Sequence, residues 1–170
     1  MKEFSTYDEM MGTYYENSCN MILPLNSWEF YGEYSNNLFL CKDDLITLQK
    51  ISANWDFNEN YKKQLVENRK VIVVTDLNLK IVFASKNIEE MNGFMPAEVI
   101  GRSPKMFQGK ETSQKTTSQI RTAIDSQVPF EYSLINYKKD KSKYLCNIQG
   151  FPVMNKKGKL VNYIAFEKAA

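Results

Sequence analysis

The chain has 170 residues, 22 lysines and arginines against 20 aspartates and glutamates, ten phenylalanines, ten tyrosines, three cysteines and no histidine. That length fits one domain with an extension, and the aromatic load excludes a disordered chain. Without histidine the chain holds no Ser-His-Asp or Cys-His machinery, no histidine-ligated haem or zinc and no phosphohistidine, and a net charge of +2 does not mark a dedicated nucleic-acid binder.

Residues 1–70 carry a charge balance of −4 and residues 71–170 one of +6, and the sequence pattern changes at the same point. Met1–Met21 shows no clear period and no apolar core of a signal peptide. No apolar run approaches the ~20 residues of a membrane span, so a cytoplasmic protein is expected. Ser27 is placed to cap a helix over Trp28–Leu38, with Trp28, Tyr31, Tyr34, Ser35 and Leu38 on one face. Lys42 or Asp43 opens a second helix, in which Leu45, Leu48 and Ile51 recur at helical spacing. Asn58 is expected to cap a third, with Tyr61, Leu65 and Val66 as its stripe. Helices this short are not stable alone and need a surface to pack on.

From Val71 onward β-branched runs alternate with turn signals. Val71–Thr75 and Ile81–Ser85 read as a hairpin around Asp76–Lys80. Asn87–Met91 reads as a short helix stopped by Gly93, and Pro96 opens a single turn. Thr112 or Ser113 caps a longer helix to Gln127, with Thr116, Ile120, Ala123 and Ile124 inward, and Pro129 ends it. Phe130–Lys139, Lys143–Met154 and Lys159–Lys168 then form an antiparallel meander. Hairpins at both ends with helices between them make an α+β fold.

Cys19, Cys41 and Cys146 follow no CxxC spacing, so no zinc knuckle or redox pair is written, and the odd count suits a reducing compartment. The run Lys138–Lys143 is a basic turn flanked by Tyr137 and Tyr144. It reads as solvated hairpin charge, and a nucleic-acid partner is not expected. No phosphate loop, carboxylate pair or metal cluster is visible.

Val71–Asp76, Ile81–Ser85, Asn92-Gly-Phe94, Pro96–Arg102, Asn136–Asp140 and Gly150–Gly158, in that order, resemble a PAS domain over residues 70–169. The resemblance implies a five-stranded antiparallel sheet with short helices on one face. Residues 1–69 lie outside it, and their helical pattern reads as an N-terminal extension, a cap or dimerisation segment. Gly101–Gln108 is similar to the signature of the flavin-binding LOV subgroup, the blue-light sensors in which a cysteine adds to the flavin. Where that cysteine stands in the subgroup, this chain has Pro104, which carries no nucleophile. Its neighbour is Ser103 in place of Asn, a second flavin-facing Asn falls on Cys146, and the final Gln is Glu167; Gln108 and Asn136 match. The cavity positions implied are therefore Ser103, Pro104, Gln108, Asn136, Cys146, Ile148 and Glu167.

Each has a plain alternative. Cys146 is a redox sensor, soft haem ligand or displaced nucleophile, or else a small buried hydrophobe. Glu167 faces either the cavity or solvent. Asn136 and Gln108 either contact a ligand or bond nearby backbone. The function expected is a non-enzymatic sensor or interaction module in signal transduction. It holds no cofactor or an FMN-like ligand, and works through a homodimer and a separate signalling protein. The alternative is a non-covalent flavin photoreceptor or redox sensor.

Overall fold

The computed structural model describes residues 26–170; the reading of Met1–Met21 lies outside them. Helix α1 (Asn26–Leu40) begins one residue before Ser27, so Ser27 is not its cap. A compact unit spans Asn36–Ala170 and contains the whole sheet.

The elements of this unit are α2 (Lys42–Ile51), β1 (Trp55–Asp56), α3 (Tyr61–Val66), β2 (Val71–Thr75), β3 (Ile81–Ala84), α4 (Ile88–Asn92), α5 (Pro96–Val99), a 3-10 turn at Pro104–Phe107, α6 (Gln114–Asp125), β4 (Phe130–Tyr137), β5 (Lys143–Asn155) and β6 (Leu160–Ala169). The strands form one antiparallel sheet in the order β1-β5-β6-β2-β3, with β4 also on β5. The five expected strands are present, and β1 is an added sixth of two residues. The third helix is capped by Asn60, whose side-chain oxygen accepts from Lys63 N at 2.9 Å, and not by Asn58. Ser113 caps α6 as expected, accepting from Thr116 N.

One device makes the three hairpins. Asp76, Asp140 and Asn155 each open a turn with a side-chain oxygen that accepts a backbone N–H two residues on, at 2.8–2.9 Å. Such Asx turns set the chain reversal locally. Gly93 closes α4 at φ 78°, a left-handed conformation that costs glycine nothing.

Strand alternation assigns two faces. On the outer face Ile72, Val74, Ile164, Phe166 and Val153 pack with Leu48 of α2, Trp55 of β1 and Leu65 of α3. Residues 41–66 thus cover the outer face of their own sheet. Asp44, buried at the start of α2, accepts Lys86 N at 2.8 Å and ties that cover to the turn before α4. On the inner face Val71 and Val73 pack with Ile81, Ile88, Val99 and Phe107 from β3, the short helices and the 3-10 turn. Helix α6 also crosses this face, yet none of its residues is buried. Its apolar stripe overlooks a cavity, not a filled core.

Candidate functional site

The cavity holds about 430 Å³, within the usual range for small-ligand sites. Its floor is the inner face of β2, β4, β5 and β6, and its rim is the 3-10 turn and α6. The floor follows from register. Val73 pairs with Ala165 and Thr75 with Tyr163 between β2 and β6, Ile148 pairs with Glu167 between β5 and β6, and Leu134 pairs with Cys146 between β4 and β5. Gly150 keeps the floor low, because a Cβ there would run into the Phe130 ring lying over it. Gly150→Ala is expected to push Phe130 into the cavity and cost about 1–3 kcal/mol, read as a lower urea midpoint.

Of the seven positions named from sequence, six line this cavity: Ser103, Pro104, Gln108, Asn136, Ile148 and Glu167. Cys146 is the exception. It is fully buried on the same face but behind Glu167, and its Sγ donates to Glu167 Oε2 at 3.7 Å. Burial, reinforced by Glu167, pushes its thiol far above the usual range, so it stays protonated and inert. Cys146 is thus a small buried side chain with one weak hydrogen bond, and it does not line the cavity. Asn147 beside it faces outward and accepts from Ser133 Oγ at 2.6 Å.

Glu167 faces inward and is 4% exposed. Burial raises its carboxyl to about 7, and the Cys146 hydrogen bond only partly opposes this. Beside it lies a polar cluster of which the sequence had pointed to Asn136 alone. Asn136 Oδ1, Tyr144 OH and Asn92 Nδ2 are buried with no hydrogen bond of good geometry, although both amides lie against the Tyr144 hydroxyl. Thr75 Oγ1 is likewise unpartnered, and of the four residues Asn136 and Thr75 line the cavity. Asn92 is held in place by its Oδ1, which accepts Phe94 N at 3.1 Å. Each such atom costs about 1–3 kcal/mol if left unsatisfied. At the rim stand Lys105 and Arg121, the latter paired with Asp125 at 3.0 Å. The site therefore has an apolar middle, polar atoms of Asn136, Thr75 and Glu167 on its floor, and a lysine at its mouth.

The family profile of the PAS domain matches residues 68–168. The chain belongs to the PAS domain family. Among curated relatives, Protein TWIN LOV 1 of Arabidopsis thaliana is 39% identical over 88 residues, covering 51% of this chain and 22% of that one. A blue-light-activated histidine kinase of Rhizobium johnstonii is 30% identical over 123 residues, covering 71% of this chain and 36% of that protein. This PAS chain thus spans about a fifth to a third of the length of those relatives. Among solved structures, the dark structure of the blue-light photoreceptor Aureochrome1 LOV superposes with a TM-score of 0.61 at 27% identity, over 68% of this chain and 86% of that one. A light-oxygen-voltage domain studied with a flavin analogue gives the same TM-score at 25% identity, over 66% and 86%. Within its family the PAS domain is thus LOV-like in sequence and structure. Among the described residues no helix is long and apolar enough to cross a membrane, and no cluster of metal-ligating side chains occurs.

Proposed function

We propose that this PAS domain is a cytoplasmic signalling sensor that binds a flavin-like aromatic heterocycle non-covalently and passes its state to a second copy or a separate partner. The observation that carries the reading is the cavity itself. Its volume suits a fused-ring ligand, and the unpartnered Asn136 Oδ1 and Thr75 Oγ1 suit the polar edge of such a ring. Lys105 at the mouth suits an anionic tail.

The residues present fit an FMN-type group held by contacts alone. Leu134, Ile148 and Phe107 would pack on the ring, Asn136 and Gln108 would orient its edge, and Lys105 would meet its phosphate. When bound, such a group supplies blue-light absorption and electron acceptance. Pro104 at the rim offers no thiol, and the protonated Cys146 lies behind Glu167. The role proposed is non-catalytic. A ligand signals by favouring one arrangement of the surrounding elements over another. Helix α6, which borders the cavity with no buried residue of its own, is the element most exposed to that choice.

The test is an absorption spectrum and native mass spectrum of the untreated protein, followed by titration with FMN. One-to-one binding is expected, weakened about tenfold in Asn136→Ala by loss of one hydrogen bond. A colourless protein that takes up no FMN overturns the flavin reading. The oligomeric state by light scattering tests the second-copy route separately.

A further inference from the structure

We propose that Glu167 enters the cavity as a neutral carboxylic acid and is its hydrogen-bond donor, so that the site prefers ligands presenting an uncharged acceptor and releases them when that proton is lost. This rests on the ligand-binding reading above and adds the chemistry and regulation of the same site.

The geometry comes first. Glu167 sits on β6 between Val71 of β2 and Ile148 of β5. Its side chain is buried and lines the cavity. Its one hydrogen bond among the described residues is the weak, neutral Cys146 thiol on Oε2, which leaves Oε1 to the cavity. The titratable and charged groups around it are Cys146 and Tyr144 from β5, Lys105 from the 3-10 turn and Arg121 from α6. β4 brings the amide Asn136 to the same cavity, β2 brings Val73, and Val71 of β2 is the strand partner of Glu167. Lys105 and Arg121 lie at the exposed rim, and neither forms an ion pair with Glu167 among the described residues.

A carboxylate buried without a cation costs several kcal/mol, and such groups take up a proton instead. Oε1–H then points a donor into the cavity, which Asn136 lines with an acceptor of its own. A ligand edge with an adjacent acceptor and donor satisfies both. Burial pushes the neighbouring Cys146 and Tyr144 up, away from neutrality. The chain has no histidine. Glu167, raised to about 7, is therefore the group in this site that titrates near neutrality.

Riboflavin is the probe, since it lacks the phosphate whose second ionisation near pH ~6 would confuse the profile. Its Kd for the full chain is expected to be flat below pH 7 and to rise about tenfold per pH unit above it. Glu167→Gln keeps a donor without a titrating proton and should bind with no such rise. In parallel, the infrared carboxylic-acid band of the ligand-free protein is followed with pH. The component of that band missing in Glu167→Gln should be present in the wild-type protein under mildly acidic conditions and fade as pH rises. Binding with the same pH profile in both proteins overturns the proposal and leaves the ligand reading standing. No riboflavin binding at any pH overturns the ligand reading, and the carboxyl band then decides by itself whether Glu167 carries the proton. Its absence from the wild-type protein overturns the proposal.

Discussion

Raising the pH from mildly acidic to mildly basic should weaken the ligand-free fold by about 3 kcal/mol, and Glu167→Gln should remove most of that loss. Burial lifts the Glu167 carboxyl from 4.5 to about 7, and each pKa unit is about 1.4 kcal/mol. Between those values the folded chain holds a proton that the unfolded chain has released. The stabilisation is therefore complete below the unfolded value and is lost as pH rises through the folded one. Asp44, raised mainly by burial, acts in the same direction. Exposed Asp43, lowered by Lys86, acts in the opposite one, but an exposed pair is worth little. Urea midpoints at several pH values give the profile. A profile that is flat or rises with pH would mean that ionised Glu167 has found a partner.

Leu48→Ala should cost about 2–5 kcal/mol, the range for emptying a well-packed apolar site. Leu48 is 0% exposed, although it belongs to α2, outside the span matched to the PAS profile. It reaches the outer-face cluster of Ile72, Val74 and Phe166. The same truncation at Phe39, 76% exposed, should fall within about 0.5 kcal/mol of neutral. Denaturant midpoints compare the two. Equal, small effects would mean that α2 does not dock on the sheet in solution.

The meander and the first hairpin were legible because β-branched runs met side-chain turn formers at Asp76, Asp140 and Asn155. Helix α6 was legible from Ser113 and its stripe. The two-residue β1 was not, since Trp55-Asp56 is too short for alternation to register. Asn58 and Asn60 are equivalent caps by residue type, and only the docked position of α3 separates them. At the site, family spacing located the cavity floor, but the face of Glu167 was beyond periodicity. Phe166 and Glu167 are consecutive and both buried, and a strand covered on both sides loses its period-2 signal. Asn136 was reached by family spacing alone, and its companions Asn92 and Tyr144 escaped for another reason. Asn92, Asn136 and Tyr144 come from α4, β4 and β5, and only the folded sheet gathers them. The inert Cys146 likewise depends on a neighbour, Glu167, that lies 21 residues away.

Strand β1 pairs Trp55 with Asn155 and Asp56 with Met154, at the end of β5 where β4 has already stopped. The segment before Val71 therefore closes a strand edge as well as an apolar face. Both are templates for unwanted pairing when bare. A chain cut after Glu67 would present the two side by side, and its failing would be self-association through open backbone groups, at concentrations where the whole chain stays in solution.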